Sequence, residues 1–257
     1  MTAYQRLPSA SYRSASDPAV DRAASDRAPD VRPLAAYDLA WIDAKGTAMW
    51  DRRMLPDTPE VEAAVSCLAR GAMLRGPRGP IAVEDLIPGD RIATQSGGAV
   101  QVEWIGSRSY SGHGPRPSFF RVAANAFGAH GPTQDVIVGA HAQILVDSAK
   151  CMALVGSRRA FAPISAFADG MSVIAISPPG EVTVYGLACS GQEAVMVAGM
   201  PVETYHPSRA TTRSLNRVVL SDMARLFPQA SAGDGFGAPR VAYLSVSEAQ
   251  SLSLNGF

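Results

Sequence analysis

Between residues 67 and 207 the chain consists of short apolar runs, each of strand length and each bounded by Gly, Pro or Asp. Short runs with turn-forming boundaries are typical of β-hairpins rather than of helices. The pattern therefore predicts an all-β domain of about ten strands. We expect strands near residues 72–75, 81–83, 91–94, 100–105, 135–138, 143–146, 151–154, 171–177, 182–187, 193–197 and 201–205.

The segments on either side of this region have a different composition. Residues 1–34 hold hardly any large apolar side chains, which predicts a disordered tail, because such a chain cannot repay its ordering entropy. Residues 35–66 contain scattered aromatic residues and a short helix start at Pro59, which favours a linker that docks onto the β domain. Residues 208–257 show helical spacing up to Pro228, and predict a helical C-terminal appendage.

Charge and composition exclude several classes of protein. The 23 basic residues balance the 23 acidic ones, so nothing in the net charge favours nucleic acid as a partner. No apolar run is long enough to span a bilayer, and no standard signal peptide is visible. We therefore expect a soluble protein that is cytoplasmic or exported without such a signal.

The cysteines and histidines do not predict a metal centre. Three cysteines, Cys67, Cys151 and Cys189, are far apart and contain no CxxC pair, so neither a disulfide framework nor a zinc site is indicated. The four histidines also lack the spacing of metal ligands. We expect no metal and no cofactor.

Several blocks of sequence occur in a recognisable order. They are Cys67 at the start of the β region, the turn block 83–90 (VEDLIPGD), and blocks 102–106 (VEWIG), 124–128 (ANAFG) and 197–207 (VAGMPVETYHP). This order resembles that of bacterial Hint (Hedgehog/intein) domain proteins. The resemblance implies a mainly β fold, a Hint-type horseshoe over residues 67–207, followed by the small helical appendage.

The resemblance also implies self-processing. In active members of the family the opening cysteine attacks the carbonyl of the preceding residue, an N-to-S acyl shift that gives a thioester. Here the scissile bond would join Ser66 to Cys67, the substrate would be the chain's own N-terminal segment, and autoproteolysis would be a single turnover. Such chemistry needs a thiolate and a group that protonates the leaving nitrogen. His141 is the candidate acid/base.

The sequence departs from the family pattern at the acid/base positions. Ala142, rather than His141, stands where the family has its histidine, and Gly139 replaces the preceding Ser or Thr. Gly186, Ser190 and Gln192 stand where relatives tend to carry histidines and an aspartate. Adjacent strand residues point to opposite faces, so a one-residue offset within a strand would aim the His141 ring away from Cys67. If this block extends into a loop or a bulge, His141 could still reach Cys67.

Two functions therefore stay open at this point. One is cysteine-dependent self-cleavage, slow or lost, carried by Cys67 and His141. The other is a catalytically degenerate Hint scaffold that acts as a binding or structural module, with Cys67 a small buried hydrophobic residue and His141 a structural one. Splicing is not expected, because no asparagine follows His206.

Overall fold

Two large sheets dominate the computed structural model, which describes residues 32–111, 116–128, 131–207, 217–230 and 236–253. The eight-stranded sheet contains, in spatial order, β13 (Val173–Ile176), β9 (Phe119–Val122), β10 (Val136–Gly139), β3 (Leu68–Ala69), β14 (Val182–Ala188), β8 (Trp104–Tyr110), β1 (Leu34–Ile42) and β2 (Ala48–Pro56). The seven-stranded sheet contains β17 (Ala242–Tyr243), β12 (Arg159–Pro163), β11 (Gln143–Asp147), β16 (Met200–Glu203), β15 (Ala194–Val197), β4 (Met73–Gly76) and β5 (Gly79–Ala82). Strands β6 (Arg91–Ala93) and β7 (Ala99–Gln101) form a separate hairpin.

The helices are short and lie between or after the strands. In the described ranges the α-helices are α1 (Pro59–Val65), α2 (Ala149–Val155), α3 (Arg217–Leu226) and α4 (Val246–Ser253), and single 3₁₀ turns cover Val83–Asp85, Ile164–Phe167 and Pro228–Ala230. None of these helices is both long and apolar enough to cross a membrane. The mainly β fold with a small C-terminal helical appendage is thus confirmed.

One predicted strand is wrong. Residues 151–154 lie in helix α2, where Ser148 caps the N-terminus by accepting a hydrogen bond from the Lys150 backbone. Gly156 ends the helix in the left-handed conformation, with φ of 70°. These two caps decide the conformation, since a short apolar run alone fits a helix or a strand equally well.

The predicted strand 100–105 is divided in two. Strand β7 ends at Gln101 and β8 begins at Trp104, with the backbone of Val102 bonded to Asp90 and that of Glu103 bonded to Ala188. The chain leaves the small hairpin here and enters the eight-stranded sheet.

Residues 35–66, the expected docking linker, contribute two strands and a helix. Strand β1 pairs with β2 along its whole length and with β8 over four residues, Asp38 to Trp41. Helix α1 begins at Thr58, whose side chain accepts a hydrogen bond from the Val61 backbone, with proline at the first helical position. The predicted tail, residues 1–34, lies outside the described residues up to position 31.

The interior contains two main clusters of buried apolar side chains. The larger cluster includes Cys67 and side chains from both large sheets. The second joins the N-terminal segment to the C-terminal one: Tyr37, Leu39, Trp41, Leu55, Val61, Ala64 and Val65 pack with Trp104, Ala188, Tyr205, Leu226, Phe227 and Phe236. Residues upstream of Cys67 therefore form part of the hydrophobic core.

A largely buried arginine ties the N-terminal segment to the sheet. The Arg108 guanidinium donates to both carboxylate oxygens of Asp57, at 2.5 and 2.8 Å, and to the Tyr37 hydroxyl at 3.1 Å. It also lies over the ring of Tyr110, 4.3 Å from the centroid. Its side chain is only 11% exposed, so this charge depends on Asp57 for compensation.

We expect Asp57→Ala to lower the free energy of unfolding by about 2 kcal/mol, because it leaves the Arg108 charge without its partner. The matched control is Asp38→Ala, which removes an equally bidentate but solvent-exposed pair with Arg52. Urea unfolding of both variants measures the difference. An equal loss in the two variants would contradict a special role for the Arg108 pair.

Candidate functional site

The bond between Ser66 and Cys67 lies where helix α1 passes into the centre of the eight-stranded sheet. The Ser66 backbone N–H donates to the Glu62 carbonyl at 2.8 Å and closes the last turn of α1. Directly afterwards the Cys67 N–H donates to the Tyr185 carbonyl at 3.3 Å, and the Cys67 carbonyl accepts from Gly139 at 2.9 Å. Both neighbouring strands, β14 and β10, therefore hold this junction.

The Cys67 thiol is buried beside a backbone carbonyl. The residue is 7% exposed, and its Sγ lies 3.8 Å from the carbonyl oxygen of Glu203. A hydrogen bond to a carbonyl oxygen requires the protonated thiol, whereas the nucleophile of an acyl shift is the thiolate. The Cys67 thiol therefore has a backbone carbonyl as its hydrogen-bond acceptor, at a distance typical of a weak sulfur donor.

Two glycines allow the backbone at the end of α1 to pack closely against the sheet. A Cβ atom on Gly139 would lie 2.0 Å from the Ser66 carbonyl oxygen, and one on Gly186 would lie 1.8 Å from the Ala64 carbonyl oxygen. Real Cβ atoms do not approach so closely, and neither glycine has a positive φ that would by itself require glycine. Space, rather than backbone conformation, requires glycine at both positions. The volume that a larger side chain at either position would need is occupied by the backbone of residues 64–66.

A buried phenol contacts the residue before the bond. The hydroxyls of Ser66 and Tyr110 are 3.1 Å apart, and Ser66 has no exposed surface. Burial raises the pKa of Tyr110 to about 12, although its hydrogen bond to Ser66 acts in the opposite direction. Tyr110 is therefore a neutral phenol at physiological pH and does not serve as a base there.

His141 faces helix α1. Its Nε2 atom lies 3.7 Å from a carboxylate oxygen of Glu62, and its side chain is 35% exposed. The next residue, Ala142, is completely buried in the larger core cluster. The His141 ring thus lies beside the helical turn that precedes the bond, while the side chain of Ala142 is a methyl group packed in the core.

Gln192 forms a structural clamp. Its amide oxygen accepts from the backbone N–H groups of Arg240 and Val241 at 2.7 and 2.8 Å. Its amide nitrogen donates to the carboxylate of Glu203 at 3.2 Å and to the Tyr243 hydroxyl at 2.9 Å, and that hydroxyl in turn donates to Glu203. Gln192 therefore fixes the C-terminal strand β17 against the strand that contacts the Cys67 thiol.

The other two cysteines are structural. Burial raises the pKa of the Cys189 thiol to about 12, and burial also raises the pKa of Cys151. Both thiols are protonated near neutral pH and lie in the interior. In the ranges that the structure describes, no three His, Cys, Asp or Glu side chains are grouped as metal ligands would be.

The structure adds three residues that the sequence pattern did not indicate. Tyr110, Arg108 and Glu203 all contact the junction or its neighbours. Glu203 lies in block 197–207, but the sequence assigned no role to it, and Arg108 and Tyr110 lie outside the recognised blocks. Gly139 and Gly186 did stand out as replacements. Their contacts with the α1 backbone became visible only in three dimensions.

Comparison with known proteins gives one family match. The family model described as "Hint domain" matches residues 66–209. No curated protein matches the chain. Similar solved structures include a bacterial intein-like domain from Clostridium thermocellum, at 10% identity and a TM-score of 0.37, covering 55% of this chain and 99% of that one. The MchDnaB-1 intein is 16% identical with a TM-score of 0.32, and the match covers 54% of this chain and 99% of the intein.

We expect Gly139→Ala and Gly186→Ala each to destabilise the protein by about 3 kcal/mol, because the added methyl group meets backbone that cannot move independently. Gly180→Ala is the matched control, since a Cβ there meets nothing within 4 Å. Chemical denaturation gives the three values. Gly139 and Gly186 variants as stable as the control would show that α1 does not pack as described.

Proposed function

Because this chain belongs to the Hint domain family, we propose that it is a Hint scaffold that keeps its Ser66–Cys67 bond intact and works as a binding or structural module. The observation that carries the proposal is the close packing of residues 64–66 against Gly139 and Gly186. The backbone occupies the space in which the side chains expected from the family resemblance at positions 139 and 186 would stand.

The contacts of the bond support this proposal. In an N-to-S acyl shift the sulfur adds to the Ser66 carbonyl carbon, the bond to the Cys67 nitrogen breaks, and that nitrogen takes up a proton. The Cys67 N–H instead donates to the Tyr185 carbonyl, and the thiol faces the Glu203 carbonyl. A missing general acid/base slows such a step by about 10² to 10⁴, which corresponds to roughly 3 to 5 kcal/mol of barrier.

The packing of residues 34–66, upstream of the bond, also supports the scaffold proposal. Residues 34–66 contribute two strands to the sheet and seven side chains to the second core cluster. A fragment ending at Ser66 would remain attached through these contacts after cleavage. Cleavage at Ser66 would therefore not by itself release the N-terminal arm from this fold.

A second candidate function is slow self-cleavage that depends on Cys67. It is favoured by the position of the cysteine as the residue directly before β3, and by His141 lying one helical turn from the bond, against Glu62. In this function Cys67 forms a thioester with Ser66, and water or an added nucleophile then cleaves the thioester.

Intact mass measured under denaturing conditions separates the two functions, since a cleaved fragment would stay bound under native conditions. We expect the full-length mass of the purified chain to persist for days with or without dithiothreitol or hydroxylamine. The Cys67→Ala variant is the control. Loss of residues 1–66 that requires both Cys67 and an added nucleophile would overturn the scaffold proposal in favour of self-cleavage.

The variant Ala142→His tests why the bond persists. We expect the Ser66–Cys67 bond of this variant to stay intact, because the backbone of α1 still fills the space beside Gly139 and Gly186. If a single missing histidine were the whole defect, cleavage would accelerate by about 10² to 10⁴. The same mass measurement reads the result, on protein whose circular dichroism spectrum matches that of the unmodified chain.

A further inference from the structure

Strand β2 forms an open edge of the eight-stranded sheet. It is nine residues long and, in the described part of the chain, pairs with β1 alone. A long edge strand presents a row of backbone donors and acceptors to any strand that approaches it. Natural proteins usually shield such edges with charges, prolines or a covering element.

The hairpin turn shows which backbone groups point outward. The Asp43 N–H donates to the Thr47 carbonyl at 2.9 Å. The backbone N–H and C=O groups of the odd-numbered residues in β1 and β2 therefore point toward the other strand of the hairpin. On the other side, the Ile42 N–H donates to Glu103 at 2.9 Å, which agrees with this alternation. The N–H and C=O groups of Ala48, Trp50 and Arg52 therefore point to the open edge.

Large apolar side chains are exposed on the outer face of this hairpin, and the charged side chain among them is paired. Trp50 is 70% exposed and Met54 is 50% exposed, both on the outer face of the hairpin. Leu34, on the same face of β1, is 59% exposed. The charged Arg52 between the two is bonded to Asp38 at 2.6 and 2.9 Å, so the edge carries no unpaired charge that would repel a second strand.

The end of helix α3 limits where pairing can occur. The Arg225 guanidinium donates to the Met54 carbonyl at 2.8 Å and so occupies an outward-facing acceptor. The free stretch of the edge is therefore Ala48 to Arg52. A second β2 strand placed antiparallel on this stretch, with its two-fold axis at Trp50, sets Trp50 against Trp50 and Ala48 against Arg52.

This register avoids conflicts that the neighbouring registers create. Moving the axis to Asp51 would set two aspartates directly opposite, and moving it to Met49 would place Arg52 opposite Gly46 in the hairpin turn, outside the strand. Moving it to Arg52 would set two arginines directly opposite and would require the Met54 carbonyl that Arg225 already uses. With the axis at Trp50, no like charges face each other, and two large aromatic side chains pack together. The edge is thus complementary to itself.

We propose that this protein forms a two-fold symmetric homodimer in which the β2 strands of two copies pair antiparallel across Trp50, joining their eight-stranded sheets. The occupant of the exposed edge is a second copy of the same chain. Isologous pairing of this kind closes after two subunits and leaves no further edge at β2. The proposal does not depend on whether the Ser66–Cys67 bond is cleaved.

Multi-angle light scattering over a dilution series tests the dimer. We expect twice the 27.0 kDa of one chain at high concentration, and a shift to the single-chain mass for Trp50→Lys, since a lysine on the edge opposes pairing. Met171→Lys is the matched control, because Met171 is 81% exposed outside the hairpin, and it should remain dimeric. A monomeric unmodified chain, or a dimer unaffected by Trp50→Lys, would overturn the proposal.

Cysteine cross-linking tests the register separately. The native cysteines Cys67, Cys151 and Cys189 are all buried, so an introduced thiol reports alone. We expect Trp50→Cys to form a disulfide-linked dimer under mild oxidation, because opposed Cα atoms in a ladder are about 5.5 Å apart. In Met54→Cys the two sites would be roughly 27 Å apart and should not link. Equal linking at both positions would exclude pairing across Trp50.

Discussion

The eight-stranded sheet depends on a strand of two residues. Leu68 and Ala69 pair with Val138 on one side and with Val184 and Tyr185 on the other, and so connect the two halves of the sheet. That strand directly follows Cys67, and the backbone of Cys67 itself bonds to both neighbours. The junction between Ser66 and Cys67 therefore lies at the central connection of the sheet. Its backbone groups are engaged in holding strands together.

The same junction explains why the upstream segment is inseparable from the fold. Helix α1 ends at the bond, lies on Gly139 and Gly186, and places Val61, Ala64 and Val65 in the core cluster shared with the C-terminal helix α3. The Arg108 guanidinium adds a polar tie through Asp57. The N-terminal and C-terminal segments therefore meet over one face of the Hint domain, and each covers apolar surface that the other would leave exposed.

Sequence alone was sufficient for the fold class and most strands, because turn residues bounded each apolar run and the ordered blocks resembled one family. It failed at residues 151–154, where the caps at Ser148 and Gly156 outweigh the apolar run. For the site, the resemblance predicted the Ser66–Cys67 junction and departures from the family pattern at positions 139, 142 and 186. The sequence could not show that Gly139 and Gly186 contact the backbone at the end of α1. A glycine in a sequence does not reveal whether a neighbouring segment packs against it.

The two glycines also restrict the evolutionary paths open to this protein. A catalytic side chain at position 139 or 186 would collide with the carbonyl oxygens of residues 66 or 64, so α1 would have to move before either mutation was tolerated. Moving α1 would in turn disturb the core cluster to which it contributes three side chains. A larger side chain at either position is therefore compatible with this fold only together with compensating changes in α1 and in the core cluster that α1 shares with α3.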